Sequence, residues 1–336
     1  FDPLLELIQK ENVISVVDER RALLAEWLNA QNLLNEEKLS VASADASFRR
    51  YFRLQNRETS YIAMDAPPDL EDSLPFVEIG KWMKNSGINV PEIIAKDLDL
   101  GFLVLSDFGD FHFQDAICDN DKDMLYSLAS KQIIHMQTRL LGSQNRLPLF
   151  DKSWQMKELD IFREWCLPGI SVDEYQKILE PLISEVDAIP KAFMHRDFHC
   201  RNLLVYDESK IGIIDFQGAM YGPITYDLVS LLRDCYVDND PEWIDQMVKD
   251  FLNQSCSLNS EFIDMGENEF IRWFDLAGLQ RHLKCVGIFH RLKIRDNKPE
   301  YLKDVPRVLG YIEQVLERNS ELKKIQELIN EAEILN

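Results

Sequence analysis

Asp197, Asn202 and Asp215 are the residues of this chain whose types and spacing best fit a chemical task. They lie in Met194–Asp215, which reads M-H-R-D-F-H-C-R-N-L-L-V-Y-D-E-S-K-I-G-I-I-D. Two short runs rich in Leu, Val and Ile, 203–206 and 211–214, flank the polar Asp207-Glu208-Ser209-Lys210, a pattern that predicts a β-hairpin. With Tyr206 opposite Ile211, Leu203 falls opposite Ile214 and Asn202 opposite Asp215, roughly 5 Å apart at Cα. An amide oxygen beside a carboxylate is a pair of hard oxygen donors suited to Mg²⁺, with phosphate oxygens and water filling the remaining positions. Asp197 stands five residues before Asn202, in a loop with His195 and Arg196 that follows the apolar Ala192-Phe193-Met194. A carboxylate there could orient or deprotonate a hydroxyl nucleophile.

The elements that must position these groups change character along the chain. Residues 3–34 have helical periodicity, with Leu4, Leu7 and Ile8 in one segment and Leu23, Leu24, Trp27 and Leu28 in another after Asp18, a plausible N-cap. Strand patterns follow at 39–42, 48–54 and 60–65, then a helix over 74–85 closed by Gly87, and strands at 92–95 and 102–105. Ser106–Asp110 reads as a connector. Beyond it the spacing predicts helices over 121–141, 153–166, 173–186, 225–236, 241–253, 268–293, 300–317 and 320–334. The expected class is α+β, with a small antiparallel-sheet lobe over 1–107 and a mostly helical lobe over 108–336 that carries the catalytic groups.

Ser43-Ala44-Asp45-Ala46-Ser47 falls between two of the first-lobe strands and holds only small or short side chains, which let backbone N–H groups approach phosphate oxygens. In the following strand Arg49, Tyr51 and Arg53 share one face and Phe48, Arg50 and Phe52 the other. The second face reads as core, which leaves Arg50 awkward. Arginines beside such a loop suit phosphate neutralisation; a solvated strand edge is the alternative.

Acidic residues number 58 against 37 basic ones, giving a net charge of −21 and a pI near 4.7, so the surface repels nucleic acid and anionic membranes. Six scattered cysteines (118, 166, 200, 235, 256 and 285) form no C-x-x-C and argue against a zinc site or disulfide framework. No run of eighteen apolar residues is present, and the start at Phe1-Asp2-Pro3 shows neither a basic n-region nor an apolar h-region, so a cytoplasmic protein is expected. With 46% hydrophobic residues over 336 positions, a sizeable core is available.

H-R-D-x-x-x-x-N followed by a second Asp after a hairpin is the motif set of protein-kinase-like phosphotransferases, and the chain resembles the aminoglycoside phosphotransferase and choline kinase-like superfamily. Segments 42–53, 64–68 and 105–110, with Gln280–Lys284, Gly287–Phe289 and Tyr301–Arg307, are most similar to bacterial cell-wall sugar kinases acting on the anomeric hydroxyl of N-acetylmuramate and N-acetylglucosamine. That resemblance implies a two-lobed protein-kinase-like fold, ATP and Mg²⁺ as cofactors, a small sugar as partner, and a place in peptidoglycan recycling. By position Asp197 matches the catalytic base, Asn202 and Asp215 the metal ligands, and Asp227, with His195, the support of the catalytic loop. The nucleotide set is Ser43, Ala44, Asp45, Ser47, Phe48, Arg49, Arg53, Leu105 and Asp107, with adenine against the backbone near 105–108.

The chain departs from the protein-kinase pattern at Met64, where a strand Lys is expected, and at Glu78 or Phe76, where its helical Glu partner would stand. Arg49 or Arg53 is the expected replacement. Asp215-Phe216-Gln217-Gly218 in place of Asp-Phe-Gly fits a constitutive small-molecule kinase. Sugar-site candidates are Glu158, left free by the core spacing of Leu159, Phe162 and Cys166; Arg201, for the lactyl carboxylate of muramate or the transferring phosphate; and Arg281. A kinase for an aminoglycoside, choline or homoserine, and a nucleotide-binding pseudokinase, are the other readings.

Overall fold

In the computed structural model, described over residues 19–33, 39–44, 48–56, 59–119, 121–207, 209–258 and 265–332, the chain divides into two units. One takes the described residues up to Asn85 together with Val90–Gly109; the other takes Ser86–Asn89 and those from Asp110 onward. Ser86–Asn89 belong to the second unit because Asn89 Nδ2 donates to the Ile211 carbonyl (2.7 Å) and Asn89 Oδ1 accepts from the Tyr206 hydroxyl (2.9 Å).

The first unit is a five-stranded antiparallel sheet in the order β1-β2-β3-β5-β4, formed by β1 (Ser40–Ala44), β2 (Arg50–Asn56), β3 (Thr59–Asp65), β4 (Ile93–Asp97) and β5 (Phe102–Ser106). Helical residues 19–30 (α1) bury Leu24 and Leu28 against Phe52, Leu54, Ala63, Phe102 and Val104. α2 (Leu74–Asn85) ends before Gly87, whose φ of +76° is the left-handed turn expected of a helix stop. Phe52 and Leu54 alternate inward as expected, and Arg50 on the same side is satisfied by an ion pair with Asp65, directly opposite on β3. Arg20 of α1 takes the other oxygen of this fully buried carboxylate (Nε–Oδ1 2.9 Å), so Asp65 carries two guanidinium partners.

The second unit is helical around two short ribbons. Its helices are α3 (Phe113–Asp119), α4 (Lys122–Arg139), α5 (Lys152–Cys166), α6 (Val172–Ala188), α7 (Tyr226–Leu232), α8 (Pro241–Leu258), α9 (Glu267–Asp296), α10 (Val305–Arg318) and α11 (Lys323–Glu331). Asp121, Asp151 and Ser171 cap α4, α5 and α6 by accepting the N–H three residues on. α9 is the central helix: every residue from Phe274 to Gly287 is buried. It packs on α5 at Gly287, where an added Cβ would lie 2.6 Å from the Phe162 backbone nitrogen, so only glycine permits this approach.

β6 (Lys191–Met194) pairs with β9 (Met220–Pro223), and β7 (Leu203–Tyr206) with β8 (Lys210–Ile213). The second ribbon is the expected hairpin, shifted by one residue: Tyr206 pairs with Lys210 and Leu203 with Ile213. Its turn is three residues long, with Asp207 at φ +45°, a conformation Asp tolerates better than most residues. Asn202 therefore stands level with Ile214, whose N–H donates to the Asn202 carbonyl (3.1 Å), and not level with Asp215.

Candidate active site

β6 delivers the chain into the 195–202 loop, and two carboxylates from the α7 region hold that loop. Asp227, in the first turn of α7, accepts the His195 N–H at Oδ2 (2.7 Å) and the Arg196 N–H at Oδ1 (2.8 Å). Asp234, just past α7, accepts the Cys200 N–H (2.8 Å) with one oxygen and the Tyr236 N–H (2.8 Å) with the other. Burial pushes the Asp227 carboxyl up to about 7, against the lowering effect of its two N–H donors. Burial pulls His195 down to about 4, so its ring is neutral, and Nε2 donates to the Ile214 carbonyl (3.1 Å), tying the loop to the hairpin. Arg196 takes φ +78° between these anchors.

Asn202 closes the loop. Its Nδ2 donates to the Asp197 carbonyl (2.9 Å) and lies 3.4 Å from Asp215 Oδ2, which commits the amide nitrogen and leaves Oδ1 as the oxygen that could ligate a cation. Asp215 adopts φ +63°, and its Oδ1 receives Gln217 Nε2 (2.5 Å). The left-handed turn at Asp215 brings its carboxylate to Asn202 despite the shifted hairpin register. Among the described residues no three His, Cys, Asp or Glu side chains form a metal cage. One amide oxygen and one carboxylate instead fit a small hard cation that takes its other ligands from phosphate and water.

The Asp197 carboxylate is half-buried. Burial raises its pKa, but the charges of Lys284, His199, Arg196 and Arg281 outweigh that and hold it down to about 2. Glu158, read from the sequence as free to receive sugar hydroxyls, is instead 4% exposed and fully engaged. Its Oε1 meets Arg196 Nη2 (2.6 Å) and Lys284 Nζ (3.6 Å), and its Oε2 accepts from Gln280 Nε2 (3.2 Å). Lys284 Nζ also donates to the Tyr226 hydroxyl (3.1 Å). Arg281 is buried, with Nη1 3.5 Å from Cys235 Sγ. Arg201 lies half-buried with its guanidinium carbon 3.5 Å from the centre of the Tyr236 ring.

In the first unit, Arg53 and Asp107 meet each other: Nε donates to Oδ2 (2.6 Å), and the same carboxylate accepts Ser60 Oγ (2.5 Å) and the Gly109 N–H (2.8 Å). Burial raises the Asp107 pKa, but Arg53, Ser60 and the Gly109 N–H bring it below the usual range. Arg49 is buried against Glu71 (3.1 Å), Leu105 is buried between β3 and β4, and Phe48 is exposed. Ser43 and Ala44 pair with Tyr51 and Arg50 across a register shift in β1; Asp45 and Ser47 lie outside the described residues. Met64 and Phe76 are buried and Glu78 is exposed, so apolar packing stands where the strand Lys–helical Glu pair was sought. Sequence reasoning missed Asp234, Lys284, Gln280 and Tyr236. The one signal was the polar run Gln280–His282 and Lys284 between the apolar stretches 276–279 and 285–289 of α9.

The profile of the phosphotransferase enzyme family matches residues 38–256. The N-acetylmuramate/N-acetylglucosamine kinase of Pseudomonas aeruginosa is 37% identical over 87% of this chain and 88% of its own length. The kinase of the same name from Neisseria meningitidis is 34% identical over 93% and 96%. Among solved structures, choline kinase LicA from Streptococcus pneumoniae superposes with TM-score 0.60 at 10% identity, covering 88% of this chain and 99% of that one. ADP-bound aminoglycoside phosphotransferase APH(2'')-Ib superposes with TM-score 0.57 at 15% identity, covering 88% and 98%. At these identities the likeness concerns the fold: α+β and protein-kinase-like, with an antiparallel-sheet unit and a mostly helical one.

Proposed function

The chain belongs to the phosphotransferase enzyme family, and on that premise we propose that it transfers the γ-phosphoryl group of ATP to the anomeric hydroxyl of N-acetylmuramate and N-acetylglucosamine. The observation that carries the chemistry is the position of Asn202, at the end of the braced loop, against both the main-chain carbonyl of Asp197 and the carboxylate of Asp215, which follows the hairpin. The sugar comes from the relatives, whose length the chain matches almost throughout.

Asp197 accepts a hydrogen bond from the C1 hydroxyl and aims its oxygen at the γ-phosphorus. The O1–P bond forms as the bond to the β-phosphate oxygen breaks; ADP leaves with that electron pair, and the hydroxyl proton passes to Asp197 and on to water. A carboxylate with a pKa of about 2 is a weak base, but a hemiacetal hydroxyl is more acidic than an ordinary alcohol, so orientation is the larger contribution. Asn202 Oδ1 and the Asp215 carboxylate would hold Mg²⁺, which when bound neutralises charge on the phosphates. The residues of the first unit that would receive the nucleotide are Ser43, Ala44, Phe48, Arg49, Arg53, Leu105 and Asp107 among those described. A reaction that consumes ATP fits the cytoplasm, and that is the compartment proposed; among the described residues no helix is long and apolar enough to cross a membrane. The product is a sugar 1-phosphate, suited to nucleotide-sugar synthesis in peptidoglycan recycling.

The charges of Lys284, Arg196 and Arg281 act on Asp197 strongly enough to lower its pKa, which disfavours a cationic acceptor such as choline or an aminoglycoside. Incubation with Mg-ATP and a panel of N-acetylmuramate, N-acetylglucosamine, choline and kanamycin tests the reading by ADP release. Turnover with the two sugars is expected. Transfer only to choline or kanamycin, or ATP binding without transfer to anything, would overturn it.

A further inference from the structure

N-acetylmuramate differs from N-acetylglucosamine by a lactyl ether at O3, which adds one carboxylate. An enzyme that accepts both needs a place where that charge can be received and where its absence does little harm. Arg201 has the chemistry for such a place. It precedes Asn202 in the turn Cys200–Asn202, so it sits on the same loop as the phosphoryl-transfer groups.

Several buried or half-buried arginines of this unit spend their charge on carboxylates: Arg196 on Glu158 (2.6 Å), Arg233 on Asp275 (2.8 Å), Arg307 on Asp304 (2.9 Å); the buried Arg281 instead meets the Cys235 thiol (3.5 Å). Arg201 does not spend its charge on a carboxylate, although acidic residues outnumber basic ones by 58 to 37 in the chain. Among the described residues no carboxylate comes within ion-pair distance of it; its partners are rings, Tyr236 at 3.5 Å and Tyr301 at 5.8 Å. Asp234, which acts on the neighbouring His199, has both oxygens committed to the Cys200 and Tyr236 N–H groups.

The platform beneath Arg201 is fixed from several sides. The Tyr236 backbone is pinned by Asp234, and its ring lies 5.5 Å from the His199 ring and 6.2 Å from Phe289, on which Tyr301 stacks at 6.0 Å. His199 joins this cluster to the transfer site: its N–H donates to the Asp197 carbonyl (3.0 Å), and its Nε2 is 3.5 Å from Asn202 Nδ2. A guanidinium laid flat on a ring keeps its in-plane N–H donors along its edge, the geometry that receives a planar carboxylate in two parallel hydrogen bonds.

We propose that Arg201, held on Tyr236, is the specificity residue that binds the lactyl carboxylate of N-acetylmuramate. This rests on the sugar-kinase reading above. A charge-assisted pair of this kind is worth roughly ten- to hundredfold in affinity.

Steady-state kinetics of Arg201→Gln and Arg201→Lys on both sugars and on the neutral methyl ester of N-acetylmuramate, with the wild-type protein alongside, test it. Arg201→Gln is expected to raise KM for N-acetylmuramate by roughly ten- to hundredfold, to move KM for N-acetylglucosamine by less than about threefold, and to erase the wild-type preference for the acid over its ester. Arg201→Lys should recover part of the loss. If the Gln variant loses both sugars in equal proportion, or the wild type does not distinguish acid from ester, the inference is overturned while the sugar-kinase reading survives. A wild-type protein that phosphorylates neither sugar overturns both.

Discussion

Asp227→Asn sets burial against hydrogen bonding at the brace of the 195–202 loop. The wild-type carboxyl is 1% exposed and titrates near 7 because desolvation outweighs its N–H donors, whereas in the unfolded chain it titrates near 3.9. A group raised in the folded state contributes stability that is full below the unfolded pKa and is lost as pH rises through the folded one. Between those values the folded protein carries a proton that the unfolded chain has released, so stability falls with rising pH. From pH 4.5 to 7.5 this amounts to about 3 kcal/mol. Asparagine matches the shape but has one acceptor oxygen for two N–H groups, 2.7 and 2.8 Å away in the wild type, a loss of about 1–3 kcal/mol that does not vary with pH. Urea denaturation of both proteins at pH 4.5, 6.0 and 7.5 should find the variant less stable at pH 4.5 and the gap closed or reversed at 7.5. A gap that stays constant, or widens against the variant as pH rises, would show that the N–H groups stabilise the carboxylate more than burial penalises it, and would refute the reasoning.

Three further outcomes follow from the same structure. Glu158→Gln leaves Arg196 and Lys284 without their shared carboxylate and should destabilise the second unit by roughly 3–5 kcal/mol in chemical denaturation. Gly287→Ala forces a Cβ against the Phe162 backbone and should lower stability by about 1–3 kcal/mol, read as a drop in Tm, with little change where α5 and α9 do not touch. Asp215→Asn removes the only carboxylate of the cation pair; a rise of at least about tenfold in the Mg²⁺ concentration needed for half-maximal turnover is expected, and an unchanged Mg²⁺ requirement would remove Asp215 from that role.

The fold class and the loop were legible because their signals are local. Helix periodicity, Gly87 after α2 and the apolar runs around 207–210 each act within a few residues. The register was not legible, because whether the turn holds three or four residues depends on Asp207 entering a left-handed conformation, which the residue permits but does not require. β6 and β9 escaped for another reason: each is four residues long, and β9 contains Gly222 and Pro223, which read as turn. Glu158 misled most. Its helical spacing places it beside a buried face, but its partners Gln280 and Lys284 lie more than a hundred positions away on α9, and nothing local announces them. Arg50 was the converse case, an apparent misfit explained by the Asp65 carboxylate opposite it.

Phosphorus NMR of the reaction of this protein with Mg-ATP and N-acetylmuramate tests the central claim most directly, because it reports both transfer and position. The account predicts a new phosphate ester whose phosphorus couples to the anomeric proton, abolished in Asp197→Asn. A phosphate coupled to any other sugar proton, or a product formed undiminished by Asp197→Asn, would contradict it.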